Sequence, residues 1–254
     1  MNLLLTNDDG YDSPGLEALA EKLTQKHSVF ILAPDSNRSA VSHHFIMFRK
    51  NTFTKISENI YACSGYPADC TFAGAVGNLF GVKIDAVIAG INIGANMGTD
   101  IIYSGTCAAA RQAVLIGIPG IAVSIDPVDW EKVKKEGCKF TAIADFVTKN
   151  LEKLISLCTL EYPRSFVNIN ASSLDSYKGA KIANELCFRN YGDSIKFKKD
   201  GDNVSESEIV MGENHTELLP DTDFGISRNG YIAVSKVYAD PLPERIVDGI
   251  SFSM

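Results

Sequence analysis

The sequence predicts an α/β fold: a doubly wound, mainly parallel sheet with a β-hairpin extension toward the C-terminus. Three observations carry this reading. Short apolar runs that do not alternate with polar residues recur along the chain, as expected of strands buried on both faces. Amphipathic segments at helical spacing separate them. Polar clusters follow the runs directly, at the carboxyl ends of the expected strands, where open α/β sheets bind their ligands.

Residues 2–6 read as the first buried strand, stopped by Asn7-Asp8-Asp9-Gly10. Ser13 supplies an N-cap and Pro14 the first helical position. Leu16, Leu19, Ala20 and Leu23 then share one helical face, with Glu17, Glu21 and Lys22 on the other. A second strand, 29–33, ends at Pro34-Asp35, and another, 86–89, ends at Gly90-Ile91-Asn92. A Gly/Asn-rich loop leads to a small-residue helix from about Cys107 to Ile116, and strand 120–125 follows. One long helix is expected from about Trp130 to Leu157, with its apolar stripe and Trp130 in the core. Strand 166–170 closes this part. Residues 179–215 change character: basic residues alternate with apolar ones, and Lys199-Asp200-Gly201-Asp202-Asn203 is a strong turn signal. They read as a β-hairpin, followed by a last strand at 230–238 that Pro241 and Pro243 terminate. The expected division is an α/β core over 1–178 and an arm with a C-terminal segment over 179–254.

Composition excludes several classes. Hydrophobic residues make up 45% and charged residues 22%, so the chain has enough apolar surface to fold. With 31 acidic against 24 basic side chains the net charge is −7, which argues against a partner that is a nucleic-acid polymer. A small phosphorylated ligand stays open, because a bound cation reverses the local field. No stretch approaches the roughly 20 apolar residues of a membrane span; the longest candidate, 113–125, is broken by Gly117, Pro119 and Gly120. The first residues lack a basic segment and a cleavage site, so no signal peptide is expected. The six cysteines form no C-x-x-C pair and read as free thiols in a reducing cytoplasm.

The chemistry concentrates at the strand ends. Asp8 and Asp9 are adjacent acids that repel each other unless a cation lies between them. Ser39 and Asn92, from neighbouring strand ends, can add neutral oxygens. Such an all-oxygen set suits Mg²⁺ or Mn²⁺ and not zinc. Taken alone, Asp-Asp-Gly is equally a turn. The stretch Gly90–Gly98 matches neither of the common glycine-rich phosphate fingerprints, but its glycines let backbone N–H groups come close to a ligand. Ser104-Gly105-Thr106 enters a helix N-terminus, an anion site if the N–H groups are free and otherwise only an N-cap. A cation site and an anion site on one sheet edge favour phosphate chemistry. Three further features read as ordinary surface: His43-His44 as a solvent-facing pair, Lys196–Lys199 as a solvated strand face, and Arg38 as a partner of nearby acids or of a phosphate.

Five ordered motifs resemble those of the SurE family. They are Leu3-Leu4-Leu5-Thr6-Asn7-Asp8-Asp9-Gly10-Tyr11-Asp12-Ser13-Pro14-Gly15, Pro34-Asp35-Ser36-Asn37-Arg38-Ser39, Tyr66-Pro67-Ala68-Asp69-Cys70, Gly90-Ile91-Asn92-Ile93-Gly94-Ala95-Asn96 and Ser104-Gly105-Thr106. The resemblance implies a Rossmann-like core and a metal-dependent phosphatase of nucleoside 5′- and 3′-monophosphates, sometimes active on short polyphosphate. It implies one divalent ion per subunit on Asp8, Asp9, Ser39 and Asn92, with the two aspartates catalytic. Phosphate contacts fall to Asn96, Ser104, Gly105 and Thr106. It also implies a hairpin arm exchanged between subunits of a homodimer or homotetramer. The chain departs from the family pattern at Tyr66, through residues 188–212 and at 230–237, none of which touches the metal ligands. An aspartyl-phosphate route, whose nucleophile and acid partner normally stand two positions apart, fits the adjacent pair poorly. A non-enzymatic nucleotide-binding module is the remaining alternative.

Overall fold

The computed structural model describes residues 1–200 and 203–243; Gly201 and Asp202 of the expected hairpin turn, and the end of the expected C-terminal segment, lie outside the described residues. The elements are β1 (Asn2–Thr6), α1 (Pro14–Leu23), β2 (Ser28–Pro34), β3 (Phe53–Ser57), β4 (Ile60–Cys63), α2 (Pro67–Ala75), β5 (Ala86–Ile93), α3 (Asp100–Tyr103), α4 (Gly105–Leu115), β6 (Gly120–Asp126), α5 (Trp130–Glu136), α6 (Thr141–Leu157), β7 (Ser165–Ser172), β8 (Ala180–Ile182), β9 (Ser194–Asp200), β10 (Asn203–Val210), α7 (Asp223–Arg228) and β11 (Ile232–Tyr238).

Nine strands form one sheet in the order β3-β4-β2-β1-β5-β6-β7-β11-β8. The six from β4 to β7 in that order are parallel; β3 and β11 run antiparallel to their inner neighbours. Both faces are covered, which is why the strands read as continuous apolar runs. Leu3 and Leu5 pack with Leu16, Leu19, Ile143 and Val147 on the α1–α6 face. Leu4, pointing the other way, packs with Phe30, Leu32, Cys70 and Ala113 on the α2–α4 face. β1 lies between β2 and β5, so the chain winds outward in both directions from it. The crevice beyond the ends of β1 and β5 is therefore the topological switch point, the ligand position in this architecture.

Two expectations are corrected. The helix expected over 130–157 is two helices, broken at Gly137, whose φ of +76° caps α5. Trp130 is not in the core: it is 52% exposed, and no residue of α5 is buried. Charged residues surround it in sequence, and α5 carries Lys134–Glu131 and Lys132–Glu136 pairs instead of an apolar face. The buried stripe begins at Ile143 and continues through Ala144, Val147, Leu151 and Leu154.

Past residue 178 the chain divides its work. β8, α7 and β11 join the main sheet and its covering, while β9 and β10 form a separate antiparallel ribbon. Lys196 and Lys198 stand opposite Glu208 and Glu206 there, as expected of a solvated face. Among the described residues no helix is long and apolar enough to cross a membrane, and all six cysteines are free.

Candidate active site

The loop after β1 is fixed by Asn7. Its amide donates to the Gly10 carbonyl (2.8 Å) and to Ser13 Oγ (2.5 Å), and its oxygen accepts from the Gly10 N–H (3.1 Å). This ties the loop to the N-cap of α1 and sets the two acids in place. Asp8 is almost wholly buried and accepts from Thr106 Oγ1 at 2.5 Å, at the N-terminus of α4. Gly105 permits this approach, because a Cβ there would stand 2.9 Å from Asp8 Cβ. Asp9 turns toward β5 and accepts from the Ile93 N–H at 3.3 Å.

Two neutral oxygens complete the set. The Arg38 N–H donates to the Asp8 carbonyl (2.7 Å) and draws the loop after β2 over the site. Ser39 on that loop is exposed, and its hydroxyl makes no hydrogen bond among the described residues. Asn92 donates its amide to the Gly94 carbonyl (2.8 Å), which leaves its oxygen uncommitted. Asp8, Ser39, Asn92, Asn96 and Ser104 line one cleft of about 230 Å³, with Asp100 and Tyr103 on its wall. Asp9, Gly105 and Thr106 do not line the cleft; Asp9 and Thr106 reach it through the contacts just described.

The electrostatics match the chemistry of the donors. Burial raises the Asp8 carboxyl above its usual range, against the lowering effect of the Thr106 hydroxyl. Burial, and then the neighbouring Asp8 charge, push Asp9 up to about 6. Among the described residues no Lys or Arg pairs with either acid. Two crowded carboxylates, a hydroxyl and an amide oxygen fit a hard divalent cation that keeps several waters.

Asn96 is held from three sides. Its N–H donates to Asn170 Oδ1 (2.9 Å), its carbonyl accepts from Asn168 (2.8 Å) and Asn170 (3.0 Å), and its amide donates to Ser124 Oγ (2.7 Å). Sequence reasoning missed Ser124, Asn168 and Asn170. A signal was present: asparagines inside a buried strand need partners, and these two flank Ile169 in an otherwise apolar run. Ser104 is the N-cap of α4, accepting from the Cys107 N–H at 2.9 Å, and the acid nearest that helix end is Asp8 itself. His43 is not solvent-facing as expected. It is half-buried, with Nε2 2.9 Å from Gln112 Oε1 on α4, while His44 is exposed beside Tyr66. Arg38 takes the acid partner, Asp35, at 3.1 Å.

The family model for survival protein SurE matches residues 3–192, which includes every residue placed above. The chain belongs to the SurE family. A relative from Geotalea daltonii, named 5′-nucleotidase SurE, is 46% identical over 245 residues, covering 94% of each chain. Another of the same name, from Treponema pallidum, is 43% identical over 186 residues, 72% of this chain and 96% of its own. The crystal structure of the SurE protein from Aquifex aeolicus superposes with a TM-score of 0.78 at 32% identity, covering 94% of each chain. The nine-stranded sheet is thus the SurE fold, and four of the five motifs that carried the resemblance supply residues to the cleft at its switch point.

Proposed function

We propose that this SurE chain hydrolyses nucleoside 5′- and 3′-monophosphates to nucleoside and phosphate, with short polyphosphate as a secondary substrate. The relatives named 5′-nucleotidase support the reaction class. The observation that carries the site is one cleft lined by Asp8, the unspent oxygens of Ser39 and Asn92, and the N-cap Ser104 of α4, with Asp9 beside it on the Ile93 N–H. Asp8, Asp9, Ser39 and Asn92 hold one divalent cation, Mg²⁺ or Mn²⁺. When bound, that ion polarises the phosphoryl oxygens and lowers the cost of charge at phosphorus. Asn96, fixed by Ser124, Asn168 and Asn170, presents its second amide N–H to the phosphate without reorganising. Ser104 adds its hydroxyl donor, and Gly105 and Thr106 add N–H groups from the first turn of α4, the Thr106 hydroxyl being given to Asp8. One of the two aspartates accepts the proton of the attacking water. The working form is a cytoplasmic homodimer or homotetramer joined through the hairpin arm.

Phosphate release from nucleoside monophosphates, measured with and without EDTA and beside Asp9→Asn, tests the reading. We expect EDTA and the substitution each to lower turnover at least about 100-fold, within the range that loss of one transition-state contact covers. Re-added Mg²⁺ or Mn²⁺ should restore the parent protein only. Turnover that survives both treatments would refute the metal site, and a trapped phosphorylated Asp8 or Asp9 would refute attack by water.

A further inference from the structure

The metal end of the cleft accounts for phosphate but leaves its other wall unexplained. That wall carries Asp100 and Tyr103, the two ends of α3. Asp100 is a second carboxylate, besides Asp8, lining a cleft meant for an anion, and it is held with care. Arg189 Nε lies 3.1 Å from its Oδ2, and the Tyr191 hydroxyl donates to the same oxygen at 2.8 Å. Arg189 is itself buried, spans the rings of Tyr191 and Phe224, and bonds the Tyr191 hydroxyl through Nε and Nη2. Burial pushes the Tyr191 phenol up to about 12, so it stays a donor.

The segment that brings Arg189 here is pinned from below. Asp223 accepts from the Gly98 N–H (2.8 Å) and the Cys187 N–H (2.9 Å), and the Arg189 N–H donates to Thr99 Oγ1 (3.2 Å). Gly98 lies so close to the Cys187 carbonyl that a Cβ would not fit. The arrangement pairs Asp100 with Arg189 against the burial that raises its carboxyl above the usual range, and it does not use up the carboxylate. A carboxylate offers about four lone-pair positions, and the chain supplies Arg189, Tyr191 and the nearby Met97 N–H. Tyr103, on the same wall, is 62% exposed, a bare aromatic face beside a phosphate site.

We propose that this wall is the nucleoside subsite: Asp100 accepts a hydroxyl of the ribose and Tyr103 carries the base. The assignment rests on the nucleotidase reading and deepens it. Carboxylates recognise ribose hydroxyls in other nucleotide sites, and a base stacks on any exposed aromatic ring. Asp100 then sets a preference for ribonucleotides, and Tyr103 gives affinity with little selectivity among bases.

The test compares AMP with its 2′-deoxy and 3′-deoxy forms and with ribose 5-phosphate, using the metal-loaded protein. We expect the parent protein to favour AMP over at least one deoxy form by about tenfold in kcat/KM, the loss of one hydrogen bond to a charged group. Asp100→Asn should bring that ratio near one, a change that a general loss of activity does not produce. Tyr103→Ala, at an exposed position the fold tolerates, should raise KM for AMP about tenfold while that for ribose 5-phosphate changes little. Equal treatment of AMP and both deoxy forms by the parent protein overturns the Asp100 assignment, as does a ratio that survives Asp100→Asn. An equal rise in KM for AMP and ribose 5-phosphate overturns the Tyr103 assignment. If Asp100→Asn does not fold, the parent ratio and Tyr103→Ala decide. No phosphate release from any nucleotide refutes the nucleotidase reading and this subsite with it, whereas release without discrimination refutes the subsite alone.

Discussion

Asp9 is where the fold works against a charge that the proposed metal site requires. Burial and the Asp8 charge raise its proton affinity from a pKa of 3.8 to about 6 in the folded chain. Between those values the folded state holds more protons than the unfolded one, so the metal-free fold loses stability as pH rises through that window. At about 1.4 kcal/mol for each tenfold change in proton affinity, the loss above pH 6 is on the order of 3 kcal/mol. Asp9→Asn should therefore melt higher than the parent in EDTA at pH 8, and the difference should vanish near pH 4. Thermal melts across that range check it; a difference independent of pH removes the electrostatic account. Gly105→Ala acts on the other acid. Its Cβ would press on Asp8 Cβ at 2.9 Å, and Asp8 is buried with no room to yield. We expect kcat to fall about 100-fold, the usual cost of misplacing a reacting group by about 1 Å, with the circular dichroism spectrum unchanged. The eight site residues named from sequence all stand at this edge of the sheet. Asp100 and Arg189 were not legible, because they lie 89 positions apart and are brought together by tertiary contacts of Gly98, Thr99, Cys187 and Asp223.

Elements were legible in proportion to how completely the sheet buries them. β1, β2, β5, β6 and β7 show as apolar runs because helices cover both their faces. β3 is an exposed edge strand, and its Phe53-Thr54-Lys55-Ile56-Ser57 reads like surface. α2 fails for the opposite reason: Ala68, Cys70, Thr71 and Gly74 are buried between β2 and α4, so no polar face marks its period. In the segment 130–157, hydrophobic periodicity was read through Gly137, a left-handed position that ends a helix. The consequence is measurable. Trp130→Ala should change stability by no more than about 0.5 kcal/mol, as at other exposed positions. Leu16→Ala, at a wholly buried position in the α1–α6 core, should cost about 2–5 kcal/mol. Chemical denaturation of the two variants separates a core tryptophan from a surface one.

At the scale of the molecule the question is what the ribbon of β9 and β10 packs against. Ile195 and Phe197 lie two apart on one face of β9, and Ile209 stands opposite Ile195; all three are exposed. The other face pairs Lys196 and Lys198 with Glu208 and Glu206. A two-stranded ribbon alone is marginal in water, so its apolar face needs cover, and a second copy of the chain supplies it if the arm is exchanged. The excision that tests this must be narrow. β8 belongs to the main sheet, and Cys187, Arg189 and Tyr191 fasten the wall of the cleft, so residues 180–193 have to stay. Ser194 pairs directly with Val210, so a few glycines in place of residues 194–210 close the gap without strain. We expect that variant to fold, to sediment as a monomer where the parent does not, and to lose part of its activity. Sedimentation identical to the parent would mean that the arm does not hold the oligomer together. Full activity in a monomer would mean that each cleft is complete within one chain, with Asp100 and Arg189 needing no help from the neighbour.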